Sequence, residues 1–148
     1  MSENNPIRVF VSHVFAESDD YLRVFEYLES IDRFYYFNVS DPNAKPSGGV
    51  EGVKDALRQQ INEGEVVILL ASLYADKRDW IDFQINAAKA LEKPIILINA
   101  FGRTTTVPGD LSSKASETVE WNNREIVDAI RRQARHEDTQ RWEVIDFP

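Results

Sequence analysis

The stretch VVILLASLYADKRDWIDFQINAAKAL, residues 66–91, decides the fold of this 148-residue chain. It begins with five aliphatic residues, Val66 to Leu70, a run that is typical of a strand buried on both faces. A short polar loop, Ala75–Arg78, follows, and apolar residues then return at helical spacing, so we expect a helix capped by Asp79. In an open α/β sheet, ligands bind at the carboxyl ends of the strands. We therefore expect any chemistry of this chain in the loop and first helical turns after this strand.

The same alternation of apolar runs and amphipathic segments extends to both sides of this stretch. It predicts further strands over Ile7–Ser12, Tyr35–Val39, Ile95–Ile98 and Thr118–Trp121. It predicts further helices after the caps Ser18–Asp20, from Val50 to a stop at Gly64, and after Asn122 or Asn123. The fold class is therefore α/β, a flavodoxin-like, doubly wound, parallel five-stranded sheet of order 2-1-3-4-5. We expect one domain over 1–148, with its core over about 7–133 and a C-terminal tail over 135–148.

Composition narrows the functional classes. The formal net charge of −8 argues against a nucleic-acid or anionic-membrane partner. The absence of cysteine excludes disulfides and thiolate chemistry, and two distant histidines make no case for a metal site. No apolar run approaches the roughly 20 residues of a membrane span, and no signal peptide is visible. We expect a soluble, cytoplasmic protein.

The loops that follow the first and third strands argue against several functions of this fold. Residues 12–17 contain no glycine, which disfavours dinucleotide, flavin and Walker-type phosphate binding. The third strand ends in Ala71-Ser72, so a receiver domain would lack its phosphoacceptor aspartate. A hydrolase triad that uses Ser12 or Ser72 with His13 is not supported, because no Gly-x-Ser-x-Gly elbow occurs.

Two segments carry a resemblance to a known family. Arg8–His13 (RVFVSH) resembles the opening strand of TIR domains, and Asp79–Ile85 (DWIDFQI) resembles their Trp-x-x-x-Glu segment. More narrowly, the chain is similar to prokaryotic TIR-like proteins related to the TIR subunit of Thoeris antiphage systems. The resemblance covers about residues 7–133 and includes three further segments in matching order: Lys93–Ile96, Phe101–Arg103 and Val119–Asn122.

The resemblance implies an enzyme, an NAD nucleosidase or ADP-ribosyl cyclase, with NAD as the substrate and no cofactor. Cleavage of the nicotinamide–ribose bond develops positive charge on the ribose, which a nearby carboxylate stabilises. It further implies self-association through TIR loops and a separate effector that responds to the nucleotide signal. The catalytic position falls on Gln84, and the expected substrate-binding residues are Ser12, His13, Phe15, Asp41 and Trp80.

Gln84 departs from the family pattern, because a neutral amide stands where the family has glutamate. Three explanations fit: a natural binder with little turnover, a charge supplied by Asp82 or Glu17, or a glutamate exchanged for glutamine to trap a ligand. A non-catalytic nucleotide-binding or protein-interaction module is the alternative function. Glycosidic chemistry on free deoxynucleosides is a third. Ordinary structural roles also fit these residues, for example Trp80 as a helix-start aromatic that seals the core.

Overall fold

The computed structural model describes residues 2–44, 46–102 and 109–137. The predicted tail beyond residue 137, and residues 103–108 of the predicted loop Asn99–Asp110, lie outside this range. Five parallel strands form one sheet of order 2-1-3-4-5, which confirms the predicted fold class and topology. The strands are β1 (Ile7–Val11), β2 (Tyr36–Asn38), β3 (Val66–Leu70), β4 (Ile95–Ile98) and β5 (Glu117–Val119).

Helices connect these strands and cover both faces of the sheet. They are α1 (Asp19–Glu29), α2 (Gly49–Glu63), α3 (Arg78–Ala90), α4 (Gly109–Ser112) and α5 (Asn123–Arg135). Helix α4 is short and begins in the segment that was predicted as loop. Within the described ranges, none of these helices combines the length and the apolar character that crossing a membrane requires.

Strand β3 lies at the centre of the sheet and contributes to two apolar layers. Val66, Ile68 and Leu70 pack in the layer that contains residues of α1 and α5. Val67 and Leu69 pack in the layer that contains residues of α2 and α3. All five β3 residues are buried, which is why the run lacks the polar alternation of a half-exposed strand.

The start of α3 differs from the prediction. The chain leaves β3 through a 3₁₀ turn, Ala71–Leu73, and Lys77 N–H donates to the Leu73 carbonyl at 2.9 Å. These turns bring the backbone into helical geometry early, so α3 begins at Arg78 and Lys77 takes the N-cap position without a side-chain bond. Asp79 as N-cap was therefore wrong. Its carboxylate lies in the first helical turn, where the helix dipole favours negative charge.

Two other helices begin at their predicted caps. Ser18 Oγ accepts a hydrogen bond from Tyr21 N–H at 3.1 Å at the start of α1. Asn122 Oδ1 accepts one from Glu125 N–H at 3.0 Å at the start of α5, which settles the choice between Asn122 and Asn123. Each cap satisfies one of the amides that a helix start leaves without a partner.

The last residue of α5 joins it to the amino edge of the sheet. Arg135 Nη2 donates to Glu65 Oε2 at 2.9 Å and to the Pro6 carbonyl at 3.1 Å. Glu65 Oε2 also accepts from Arg8 N–H at 3.0 Å. One carboxylate thus connects α5 with the start of β1 and the residue before β3, on the side opposite the predicted ligand edge.

Candidate functional site

The residues that follow β1 lie at the carboxyl edge, beside the end of β3. Ser12 is fully buried, and its Oγ accepts a hydrogen bond from Leu70 N–H at 3.0 Å. Its own N–H donates to the Ile68 carbonyl at 2.9 Å. Ser12 thus extends the β1–β3 pairing by one residue, and its hydroxyl oxygen already holds a buried backbone amide.

His13 is fully buried, and both ring nitrogens and its carbonyl oxygen take part in hydrogen bonds. Its Nδ1 accepts from Phe15 N–H at 3.0 Å, which assigns the ring proton to Nε2. Nε2 then donates to Gln60 Oε1 at 2.8 Å. Burial lowers the pKa of His13, against opposing effects of the Gln60 hydrogen bond and the Asp41 charge, so the imidazole is held neutral.

Aromatic rings surround the His13 imidazole. The ring centroids of Phe15, Phe10 and Tyr21 lie 4.9, 5.6 and 6.2 Å away. Phe15 adopts a φ of 55°, a left-handed conformation that is uncommon for a residue with a side chain. The hydrogen bond from Phe15 N–H to His13 and the contact between the two rings hold this conformation.

Gln84 lies on the inner side of α3 and is fully buried. Its Nε2 donates to the His13 carbonyl at 2.7 Å, which fixes the orientation of the amide. Its Oε1 is buried without any hydrogen-bond partner. An unsatisfied buried acceptor costs about 1–3 kcal/mol, so this oxygen is the atom at the site that most requires a donor.

Asp41 is exposed at the start of the loop between β2 and α2. Its N–H donates to Gln60 Oε1 at 3.0 Å, and its carbonyl accepts from Gln60 Nε2 at 3.4 Å. Its carboxylate accepts from Asn43 N–H at 3.2 Å, the geometry of an Asx turn. The Asp41 backbone is therefore connected to His13 through one side chain, that of Gln60.

Trp80 lies apart from the other predicted site residues. It is half-buried and lines a groove of about 460 Å³ between α2 and α3. Gln84, one helical turn later on α3, is not among the residues that line this groove. The groove is lined by Val50, Lys54, Asp79, Trp80, Asp82, Phe83 and Asn86.

The two acids considered as replacements for a glutamate at position 84 lie elsewhere. Asp82 lines the α2–α3 groove, and its carboxylate accepts a hydrogen bond from the Tyr74 hydroxyl at 3.2 Å. Glu17 is exposed and accepts from Asn43 Nδ2 at 3.3 Å. Neither carboxylate has a hydrogen bond with Gln84 or His13 among the contacts described here.

A second cavity, of about 310 Å³, opens at the ends of β1, β3 and β4. Its lining residues are Ser18, Asp19, Asp20, Ser72, Leu73, Asp76, Ala100 and Phe101. Three carboxylates make this cavity unfavourable for phosphate groups. In the part of the chain that the structure describes, no three histidine, aspartate or glutamate side chains are grouped to hold a metal ion.

Gln60, which connects His13 with Asp41, was not predicted from the sequence. Its position gives a weak signal, since it follows Leu57 by three and precedes Ile61 by one, the two buried residues of α2. A polar residue on the flank of an apolar helix face predicts a partner at the domain surface or edge, but it does not identify that partner.

The structure thus brings Ser12, His13, Phe15 and Gln84 together at one edge, reaches Asp41 through Gln60, and leaves Trp80 in a separate groove. A family model described as the TIR-like domain of the Thoeris protein ThsB matches residues 10–105, more than half of the chain. This match includes every residue of the candidate site. A comparison with curated proteins finds no match.

Proposed function

Because this chain belongs to the family of the Thoeris ThsB TIR-like domain, we propose that it acts in antiphage defence on NAD or a related nucleotide. The target bond is the nicotinamide–ribose bond, and the product is an ADP-ribose or cyclic ADP-ribose signal for a separate effector. NAD is the substrate in this proposal, and no cofactor takes part. We place the protein in the cytoplasm, with self-association through the loops at the carboxyl edge.

The observation that carries this proposal is the unpartnered Oε1 of Gln84. Nε2 already donates to the His13 carbonyl, so Oε1 is the polar atom of the Gln84 side chain that has no partner for a ligand to replace. A ribose hydroxyl supplies the missing donor. Since Gln84 is fully buried, a nucleotide reaches Oε1 only when the structure around it rearranges.

The neutral amide predicts slow turnover. It can orient a ribose hydroxyl, but it does not stabilise the positive charge that develops on the ribose as the glycosidic bond breaks. Loss of one such electrostatic group costs about 10²–10³-fold in rate in other enzymes. The proposed protein therefore binds its nucleotide and cleaves it slowly.

Incubation of NAD with the wild type and with Gln84→Glu, followed by HPLC of the products, tests this proposal. We expect Q84E to release nicotinamide at least about 10²-fold faster than the wild type. We also expect its rate to rise with pH, because burial raises the pKa of the introduced carboxyl group. Gln59→Glu adds the same charge at an exposed position of α2 and should match the wild type. If neither the wild type nor Q84E cleaves NAD or a close analogue, the enzymatic proposal is lost.

A second candidate, a nucleotide-binding or interaction module without turnover, is favoured by the bond from Gln84 Nε2 to the His13 carbonyl. The amide makes this bond, whereas an ionised carboxylate would set oxygen against oxygen. This candidate predicts that NAD raises the Tm of the wild type without product, and that Q84E is less stable and gains no activity. If NAD causes no thermal shift and the protein does not self-associate in size-exclusion chromatography, this candidate fails.

A further inference from the structure

One chain of hydrogen bonds runs from the β2–α2 loop to position 84. It begins at the Asp41 backbone, passes through the Gln60 side chain and the His13 ring, and ends with the His13 carbonyl and Gln84. Four separate parts of the fold meet in it: the loop after β1, the loop after β2, helix α2 and helix α3. We call it the Gln60–His13–Gln84 chain.

Each link of this chain has a single polarity. Phe15 N–H occupies Nδ1 of His13, so the ring proton is on Nε2 and faces an acceptor, Gln60 Oε1. This directs Gln60 Nε2 to the Asp41 carbonyl. At the other end, the His13 carbonyl accepts from Gln84 Nε2 and so directs Gln84 Oε1 away from it. Both amides therefore bind the same residue, Gln60 through the His13 ring and Gln84 through the His13 carbonyl.

We propose that Gln60 is a positioning residue for Gln84: it holds His13, and through the His13 carbonyl it fixes the direction of Gln84 Oε1 toward a bound hydroxyl. Gln60 acts through another residue, because its recorded hydrogen bonds are with His13 and Asp41 and not with Gln84. The role toward a ligand rests on the proposed function. The hydrogen-bond coupling itself can be measured without any ligand.

The geometry indicates why loss of the Gln60 amide would affect Gln84. Gln60 Oε1 accepts two hydrogen bonds, so without it His13 Nε2–H and Asp41 N–H both lose their acceptor. The buried ring packs closely against Phe15. In the proposal, close packing makes the ring move together with its backbone when Nε2–H loses its acceptor, and this displaces the carbonyl that Gln84 binds.

The test uses Gln60→Met, which keeps the length of the side chain and removes its amide, and Gln60→Glu, which keeps an acceptor for both donors. NMR of the ligand-free protein follows the His13 ring nitrogens and the hydrogen exchange of the Gln84 side-chain NH₂, which is assigned by its loss in Gln84→Met. In Q60M we expect this NH₂ to exchange about tenfold faster, a change that corresponds to the loss of one hydrogen bond. We also expect a changed His13 tautomer signal. We expect Q60E to retain the protected NH₂. Gln59→Met, at the exposed neighbouring position, should match the wild type.

Titration with NAD then tests the functional consequence. We expect Q60M to bind NAD about tenfold more weakly, and this effect to disappear when Gln84 is already Met. Unchanged NH₂ exchange and tautomer signal in Q60M would overturn the proposal, as would an equal loss of affinity with and without Gln84. If the wild type binds no NAD, the proposed function fails, and the exchange experiment still decides whether Gln60 controls Gln84.

Discussion

His13 owes its neutral ring to its surroundings. Its burial disfavours the charged form, and both ring nitrogens already have a partner of fixed polarity. A second proton on Nδ1 would face Phe15 N–H, so protonation would break the turn that follows β1. The nearest charge that opposes this effect is Asp41, which favours the protonated ring.

This makes stability depend on pH. The folded-state pKa of His13 lies below its ordinary value of 6.5, so between these two pKa values the unfolded chain binds more protons. We therefore expect this contribution to stability to be complete above about pH 6.5 and to be lost as the pH falls toward the folded-state pKa. Urea unfolding from about pH 7.5 to about pH 5 measures it.

Two substitutions separate His13 from other titrating groups. His13→Asn should remove most of the pH dependence in this range, because no imidazole is left to protonate at that position. His136→Asn is the matched control, since His136 lies at the end of α5 in a left-handed conformation that asparagine also tolerates. A wild-type stability that stays flat between these pH values would contradict the prediction.

At the residue scale, the sequence predicted positions better than contacts. Placing Ser12 and His13 at the edge followed from the end of an apolar strand, and the structure has them there. Trp80 and Gln84 are four residues apart on α3, yet Trp80 lines a groove and Gln84 binds His13, the second residue after β1. A helical spacing gives an angle around one helix, whereas burial depends on what packs against it. The roles of these residues in substrate binding stay predictions.

At the scale of the elements, the side-chain cap of a helix makes a defined contribution to stability. Asn122 binds Glu125 N–H through its side chain, whereas Asn123 donates from Nδ2 to Ser30 Oγ at an exposed position. Only the first of these bonds satisfies an amide of the helix start.

Asn122→Ala should therefore lower the free energy of unfolding by about 1 kcal/mol. Asn123→Ala should change it by less than about 0.5 kcal/mol, because it removes only an exposed contact. Chemical denaturation of both variants makes the comparison. Equal losses, or a greater loss in N123A, would show that the cap geometry does not determine the stability of α5.

The sequence predicted the bounds of an element correctly where hydrophobicity alone determines them. Strands β3 and β4 have their predicted bounds, because continuous apolar runs have sharp ends. The edge strands β2 and β5 have three residues each and are shorter than predicted, since a strand at the edge has only one neighbour to define its pairing. The start of α3 was displaced by a 3₁₀ turn, which propensity alone does not predict.

At the scale of the whole molecule, the Glu65–Arg135 contact joins the last helix to the sheet. It connects the last residue of α5 with the β1 and β3 side of the sheet, 70 residues away in sequence. Burial works against the charge of Glu65, but hydrogen bonds from Arg135 and from Arg8 N–H outweigh it and lower the pKa of Glu65.

Acid should therefore lower the free energy of unfolding of the domain. The folded-state pKa of Glu65 lies below its ordinary value of 4.5, so its contribution is complete above that value and is lost as the pH falls through the folded-state pKa. Glu65→Gln should lower the free energy of unfolding at neutral pH by about 1–2 kcal/mol and reduce the acid dependence. Glu63→Gln, at an exposed neighbouring position, is the matched control. An equal effect of both substitutions would mean that general charge, and not this contact, stabilises the domain.

The global topology was predictable because alternating strands and helices leave few arrangements for a parallel sheet. The contact between Glu65 and Arg135 was not, since nothing local relates two charged residues that are far apart in sequence. The same limit applies to Gln60 and His13. Interactions that depend on the three-dimensional meeting of two loops need the structure.

The bond from Gln84 Nε2 to the His13 carbonyl also bears on how readily glutamate could evolve at position 84. Glutamine and glutamate codons differ by a single base, so this exchange is always within reach of mutation. That substitution would bury a carboxylate against a carbonyl oxygen, so any gain in rate would come with a loss of stability. A second change near His13 that provides a donor would recover this stability, and without it selection for stability favours the amide.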